Sequence, residues 1–454
     1  MNNLDTIGLP LRDRIALGQS LRKQTPRSAH AAWQPPKDRP DPIQLLEATS
    51  VGRLKELVPI RYGRMLASPF TFLRGSAAAM ACDLAATPVT GLTVQACGDC
   101  HLLNFGIFAS PERNLIFDVN DFDETLPGPW EWDVKRLAAS FVVAGRSNRL
   151  SERSCRDAAE ATVRSYREQM RAYSKMGVLE VWYAHLDSGL VAKLATSRKE
   201  REEWSRKAAE AGARATARIF PKMTEVADDG QRRIIDHPPL IFHVPAGDPL
   251  EKEMKDAFRT YRATLQDDRR FQLSRFKWVD LALKVVGVGS VGTRCGVFLL
   301  MAGEDDPLFL QIKEARASVL EPYVAKSKYA NQGHRVVAGQ RLLQATSDIF
   351  LGWSGNEAGE NYYLRQLSDS KGGVDVDALT AANLIDYATA CGWALARGHA
   401  KSGDAATISG YLGRGDAFDQ AVAAFAAAYA DQTERDHALM VEAVKSGRLV
   451  AQTK

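Results

Sequence analysis

Long apolar runs are missing from this chain of 454 residues: its most hydrophobic later stretch is broken by Lys284 and Arg294, and residues 1–14 hold no apolar signal core. A cytoplasmic protein with no membrane partner is therefore expected. Cysteine is also scarce. Six are scattered without paired spacing except Cys97 and Cys100, and no second Cys-x-x-Cys follows. That pattern excludes a disulfide framework and favours two packed thiols in a reducing compartment over a redox pair or half a zinc site. An excess of one charge is absent too, since 59 Lys and Arg face 55 Asp and Glu, and no dense basic stripe stands apart from the acids. Nucleic acid is not an expected partner. What remains is a globular composition, 45% hydrophobic and 25% charged, long enough for two or three lobes.

Read in order, residues 1–50 form a Pro- and Arg-rich arm with one short helix, followed by helical spacing over 43–57 and 75–85. Arg61, Arg64 and Arg74 accompany these segments, and structural ion pairing is the favoured role for them, with phosphate contact as the alternative. A strand over 89–96 leads to a hairpin, 105–108 and 115–119, and helices are predicted from about 130, over 152–173 and over 179–222. Residues 224–249 connect lobes, and a charged helix follows over 249–273. Strands are then predicted at 280–288, 295–301 and 308–313, a helical region at 317–345 divided by Pro322 and Gly333, a strand at 362–367, and helices at 379–400 and 416–446. The corresponding units are 1–88, 89–223, 224–278, 279–370 and 371–454.

Residues 97–124 concentrate the chemistry: Asp99, His101, Asn104, Asp118, Asp121, Asp123 and Glu124 lie among apolar neighbours. Asn104 precedes one hairpin arm and Asp121 follows the other, so both point to the same end. A second signal is Gly287-Val-Gly289-Ser-Val-Gly292, which lies between two predicted strands. A dinucleotide-binding glycine motif would open a helix, whereas strand, glycine loop, strand is the geometry of a flap over nucleotide phosphates. Lys313 ends the third strand of that group, and alternation places it on one face with Phe309 and Gln311, opposite Leu308, Leu310 and Ile312.

The run Gly98-Asp-Cys-His-Leu-Leu-Asn resembles the catalytic loop of aminoglycoside and choline phosphotransferases, and Asp121-Phe-Asp resembles their metal-binding segment. Pro129-Trp-Glu-Trp-Asp, with Asp133, resembles the helix that follows it, while Cys97 stands where the first loop His would be. The glycine loop and lysine come after the catalytic loop instead of before it. That order implies a circular permutation, with residues 379–401 resembling the helix that leads into the loop. The whole chain is also similar to a bacterial domain family of unknown function grouped with the protein-kinase-like superfamily. The stretches that carry this similarity are Pro59-Ile-Arg-Tyr-Gly-Arg-Met, Asn120-Asp-Phe-Asp-Glu, Arg335-Val-Val-Ala-Gly-Gln-Arg and Ala396-Arg-Gly-His-Ala-Lys-Ser-Gly-Asp, together with the loop.

The resemblance implies an α+β, two-lobed, circularly permuted kinase-like fold with a mostly helical lobe and a small antiparallel nucleotide lobe. It implies ATP and Mg²⁺ as cofactors, with Gly287, Gly289, Gly292 and Lys313 on the phosphates and Asn104 and Asp121 on the metal. Asp123 holds a second metal or orients the loop, Asp99 is the base, and His101 locks the loop by hydrogen bonding. Glu321 is the nearest candidate acid for Lys313, and His399 reads as a packed helix histidine. The expected activity is phosphoryl transfer to a hydroxyl- or amine-bearing small molecule or protein. The alternatives are a nucleotide-binding pseudokinase, a metal-dependent hydrolase built from Asp99, His101, Asp121 and Asp123, or adenylyl transfer.

Overall fold

A computed structural model describes residues 6, 8–187, 189, 202, 215–227, 230–355, 359–367 and 374–452. The architecture is mixed α+β, with small antiparallel sheets and a larger share of helix. Among the described residues, no helix is long and apolar enough to cross a membrane.

The helical body is built on Trp130–Ser147, Glu152–Tyr173, Ala381–Ser402 and Ala417–Lys445, whose apolar faces share the largest core. Trp130–Ser147 differs from an ordinary amphipathic helix because every residue from Trp130 to Gly145 is buried. Its polar side chains must therefore be paired internally. Glu131 accepts from the Thr90 amide and hydroxyl, Lys135 donates to the Thr87 hydroxyl at 2.8 Å, and Asp133 and Arg136 face the loop described below. One helical face, as the periodicity suggests, accounts for only part of this burial.

A six-stranded antiparallel sheet forms the second body, in the order Gly352–Gly355, Asn361–Gln366, Pro307–Glu314, Cys295–Met301, Lys277–Lys284, Ile241–Phe242. Alternation along Pro307–Glu314 holds as predicted. Leu308, Leu310 and Ile312 pack with Met254, Phe258 and Tyr261 of helix Pro249–Arg262, while Phe309 packs on the other face with Phe220. Helix Gln332–Leu343 packs against the two strands at the sheet's other edge.

Several expectations are corrected. The arm's one expected helix is Leu11–Leu21, joined by a short 3-10 turn, Arg27–Ala31, and the helical spacing over 43–57 resolves into helix Pro42–Ser50 and a 3-10 turn, Lys55–Leu57. Arg14 pairs with Asp404, tying the arm to the far end of the chain. The first glycine-loop strand ends at Lys284 instead of 288, because the glycine loop turns away earlier. Residues 317–331 are not helical; the helix starts only after Asn331, whose side chain caps the His334 amide. Gly333 lies inside that helix and does not divide it: a Cβ there would overlap the Tyr362 carbonyl, so glycine permits close packing. The charged helix divides into Pro249–Arg262 and Asp267–Ser274. Of the helix expected over 179–222, residues 190–201 and 203–214 lie outside the described residues. Its described parts include the helices Val178–Tyr183 and Ala215–Met223.

The helix pair Glu152–Tyr173 and Ala381–Ser402 meets so closely that a Cβ on Gly392 would overlap the Thr162 carbonyl oxygen. Gly392→Ala is expected to destabilise the fold by about 1–3 kcal/mol through overpacking, read as a lower midpoint in urea denaturation.

Candidate active site

The hairpin Phe105–Ala109 and Leu115–Val119 brings the two acidic segments together, as its predicted geometry requires. The Asn120 amide donates to the Asn104 carbonyl at 2.9 Å, joining the residues on either side of the hairpin. Asn104 is buried, and its side-chain amide donates to the Asp99 carbonyl at 2.6 Å. The Asp121 Oδ1 accepts the Asp123 amide at 3.2 Å. Gly98 turns the loop with φ of 82°, where a side chain would also collide with the Glu124 backbone.

The loop is held from below by Asp133. Its carboxylate accepts the Cys97 amide at 2.6 Å and the Gly98 amide at 3.0 Å, and lies 3.1 Å from Nε2 of His399. The Nδ1 of His399 meets the Tyr166 hydroxyl, so this packed helix histidine orients the loop through Asp133. Cys97 and Cys100 are buried free thiols beside Asp133. Hydrogen bonding to Cys100 and burial push the Cys97 thiol well above its ordinary pKa, and burial pushes Cys100 to about 11. The Asp133 carboxylate is already engaged by two loop amides and His399, in keeping with two packed thiols beside it. Asp118 is structural, buried against Arg397 at 2.7 Å.

Asp99 is the one proposed base on this loop. Arg136 directs both Nε, at 2.8 Å, and a terminal nitrogen onto Oδ1 alone. Burial raises the Asp99 carboxyl above the ordinary range even though Arg136 and Arg74 oppose it. His101 is kept neutral by burial and then by Arg74 and Arg136. Its ring makes no hydrogen bond among the described residues: Nδ1 has no partner and Nε2 lies 3.9 Å from Asp99 Oδ2, while the His101 carbonyl accepts the Asn104 amide at 2.8 Å.

Residues almost two hundred positions away complete the cleft. Lys313 Nζ lies 2.6 Å from Asp123 Oδ2, Ser290 of the glycine loop donates to the same oxygen at 3.1 Å, and Tyr363 donates to Oδ1 at 2.6 Å. Glu321 is therefore not the acid partner of Lys313. The turn over 317–331 replaces the helix that would have aimed it there. Burial works against a charged Lys313, but Asp123, Tyr363 and Asp121 outweigh it and hold the ammonium well above its ordinary pKa. Gly287 and Gly289 line the cleft with Asp99, Asn104, Asp121 and Asp123. Gly292, at φ of 85°, shapes the loop from outside and accepts the Leu54 amide at 2.7 Å.

The arginines are the other correction. Arg61 donates to Ser50, Thr49 and Gly75, and Arg64 to the Gly287 carbonyl; neither they nor Arg74 bond a carboxylate among the described residues. Arg335, missed in the sequence reading, spans the Asp123, Thr125 and Arg316 carbonyls. The signals that could have revealed Arg136 and Arg335 were charged residues at core positions of helices.

Burial raises Glu124 to about 7, from an ordinary 4.5, despite the Val319 amide it accepts at 2.7 Å. The folded state therefore holds this proton more tightly, and the stability so gained is full below about 4.5 and lost as pH rises through about 7. Glu124→Gln should be increasingly favoured over the parent chain between those values, by roughly 1–3 kcal/mol at the top of the range. Denaturant titrations of both chains across that range check it; parallel curves would contradict it.

Comparison with curated proteins and with solved structures gives no significant match. A family model matches residues 53–443, most of the chain, and the protein thus belongs to the family described as "Uncharacterized protein conserved in bacteria (DUF2252)".

Proposed function

We propose that the protein is an ATP-dependent phosphotransferase of kinase-like, two-lobed and circularly permuted type, acting in the cytoplasm. One observation carries this reading: the glycine loop lines a single cleft with Asp99, Asn104, Asp121 and Asp123, and Lys313 pairs with Asp123, although the two groups are far apart in the chain. Strand, glycine loop, strand and lysine strand, followed by a helix packed on the same sheet, is an arrangement suited to holding a nucleotide. A permutation also finds support where the ancestral connection would have been cut. The Gln95 amide donates to the Ser402 hydroxyl at 3.1 Å, so the end of helix Ala381–Ser402 abuts the strand entering the catalytic loop.

In this reading the glycine-loop amides cover the phosphates and Lys313 grips them. Asn104 and Asp121 suit a hard divalent cation: both are oxygen donors, and Asp121 engages only Oδ1 with the neighbouring amide. Bound Mg²⁺ supplies charge neutralisation at the phosphates. Asp123 is committed to Lys313, Ser290 and Tyr363, which fits loop and lysine orientation better than a second metal. Asp99 takes the acceptor proton on Oδ2, the oxygen that Arg136 leaves open, as the acceptor oxygen bonds the γ-phosphorus and the bond to the β,γ-bridging oxygen breaks.

A pseudokinase that binds nucleotide without turnover is the second reading, favoured by the double grip of Arg136 on Asp99. The hydrolase alternative draws less support. Among the described residues, the only cluster of three or more His, Cys, Asp or Glu donors close enough to share an ion is Cys97, Cys100 and Asp133.

Mg²⁺-dependent ATP binding, followed by turnover with panels of hydroxyl and amine acceptors, tests the proposal. Lys313→Ala should abolish measurable binding, whereas Asp99→Asn should retain binding and lower turnover by about 10²–10⁴-fold. Binding without turnover in the parent chain would favour the pseudokinase; activity indifferent to Lys313→Ala would overturn both nucleotide readings.

A further inference from the structure

One wall of the cleft carries positive charge that no part of the mechanism above uses. Arg53, Arg61, Arg74 and Arg316 all line it. They are held mainly by neutral oxygens. Arg53 donates to the Thr49 and Val291 carbonyls, Arg316 to the Thr49 and Val51 carbonyls, and Arg61 to hydroxyls and the Gly75 carbonyl. The one carboxylate in ion-pair contact with any of them, Glu314, lies 3.8 Å from Arg316 and is shared with Arg294, while Asp99 and Asp121 act on Arg74, and Glu124 on Arg53, without a direct bond. Arg61 is only 2% exposed, yet its Nε has no partner, and neither does the buried Nε of Arg74. Burial, and then the charge of Arg316 on Arg53 and of Arg53 on Arg61, draws Arg53 down to about 10 and Arg61 to about 9. Guanidiniums gathered this closely, with a single carboxylate in ion-pair contact, suit a further anion.

A second feature points the same way. Helix Ala77–Ala85 begins at this wall, its N-cap residue Ser76 makes no side-chain cap, and Ala77 and Ala78 line the cleft. Uncapped first-turn amides at the positive end of the helix dipole favour an anion at that point.

We propose that this corner is a phosphoryl subsite that holds a phosphate group of the acceptor, so that the substrate transferred to is itself a phosphorylated compound. Several unmatched guanidinium forks and a helix N-terminus suit a dianion with three oxygens better than a carboxylate with a single charge. The subsite stands on its own geometry, and its assignment to the acceptor rests on the phosphotransferase reading.

Calorimetric titration of the full chain with inorganic phosphate, acetate and Mg²⁺–ATP tests it. Phosphate should bind the parent chain and Lys313→Ala alike, and bind Arg74→Gln about tenfold more weakly, the loss expected for one charge-assisted hydrogen bond. Arg316→Gln, at a side chain 34% exposed, gives the same readout should Arg74→Gln fold poorly by circular dichroism. Phosphate should also bind the chain already saturated with Mg²⁺–ATP. No binding of phosphate, or binding lost in Lys313→Ala and kept in both arginine variants, overturns the subsite. Acetate binding as tightly as phosphate overturns its phosphoryl character. Phosphate binding in a chain that takes up no ATP leaves the anion subsite standing and overturns its assignment to an acceptor, together with the phosphotransferase reading.

Discussion

A buried ammonium must be matched by a carboxylate or give up its charge, and Lys313 meets that requirement with Asp123, a residue from the other body of the molecule. The pair sets more than one contact. Tyr363, beside Lys313 in the neighbouring strand, reaches the second oxygen of Asp123, and Ser290 brings the glycine loop to the first. Arg335 then holds the carbonyls of Asp123 and Thr125 from the helix behind. Residues 121–125 are thus the knot between sheet and helical body. Loss of one partner from such a pair leaves the other desolvated, which costs far more than an exposed ion pair contributes.

The same principle works one layer deeper in helix Trp130–Ser147. A helix buried on every side has to place its polar residues against specific partners, and two of its charges are spent on the loop of residues 97–104: Asp133 on the Cys97 and Gly98 amides, Arg136 on Asp99. Neither can move without exposing an unmatched charge to the core. The loop that carries Asp99 is accordingly fixed by a rigid helix as well as by the Asn104 bonds within it, which explains why the His101 ring can be left without a hydrogen bond on Nδ1.

How much of this was legible depended on whether the cause was local. Helix Glu152–Tyr173 and strand Cys295–Met301 follow from periodicity and match their predicted bounds, and the hairpin that groups Asn104 with Asp121 does so to within one residue, its first arm running to Ala109. The segment 317–331 misled because its apolar spacing resembles a helix, whereas the chain there is pinned by Ser318 and Val319 to Glu124. Arg61, Arg64 and Arg74 misled for a related reason. Ion pairing is the ordinary role of an arginine that packs against a fold, but Arg61 and Arg64 reach carbonyls and hydroxyls that only the folded glycine loop and helix ends present. Lys313 was legible as a site residue and its partner was not, since the choice between Glu321 and Asp123 is made by packing of sheet on helical body.

Chain order then carries little weight in judging the site. The fixed requirements are a glycine loop able to approach closely, a charged lysine, oxygen donors on a rigid hairpin and a carboxylate with one oxygen uncommitted. Each is supplied by an element whose own stability has a separate cause: sheet pairing for the loop and lysine, the hairpin for Asn104 and Asp121, the buried helix for Asp99. Elements stabilised independently can be joined in more than one order provided their ends lie together, and the strand Thr93–Ala96 does lie against the end of helix Ala381–Ser402. The departure in sequence order is therefore weaker evidence against a phosphotransferase than the convergence of these groups is for one.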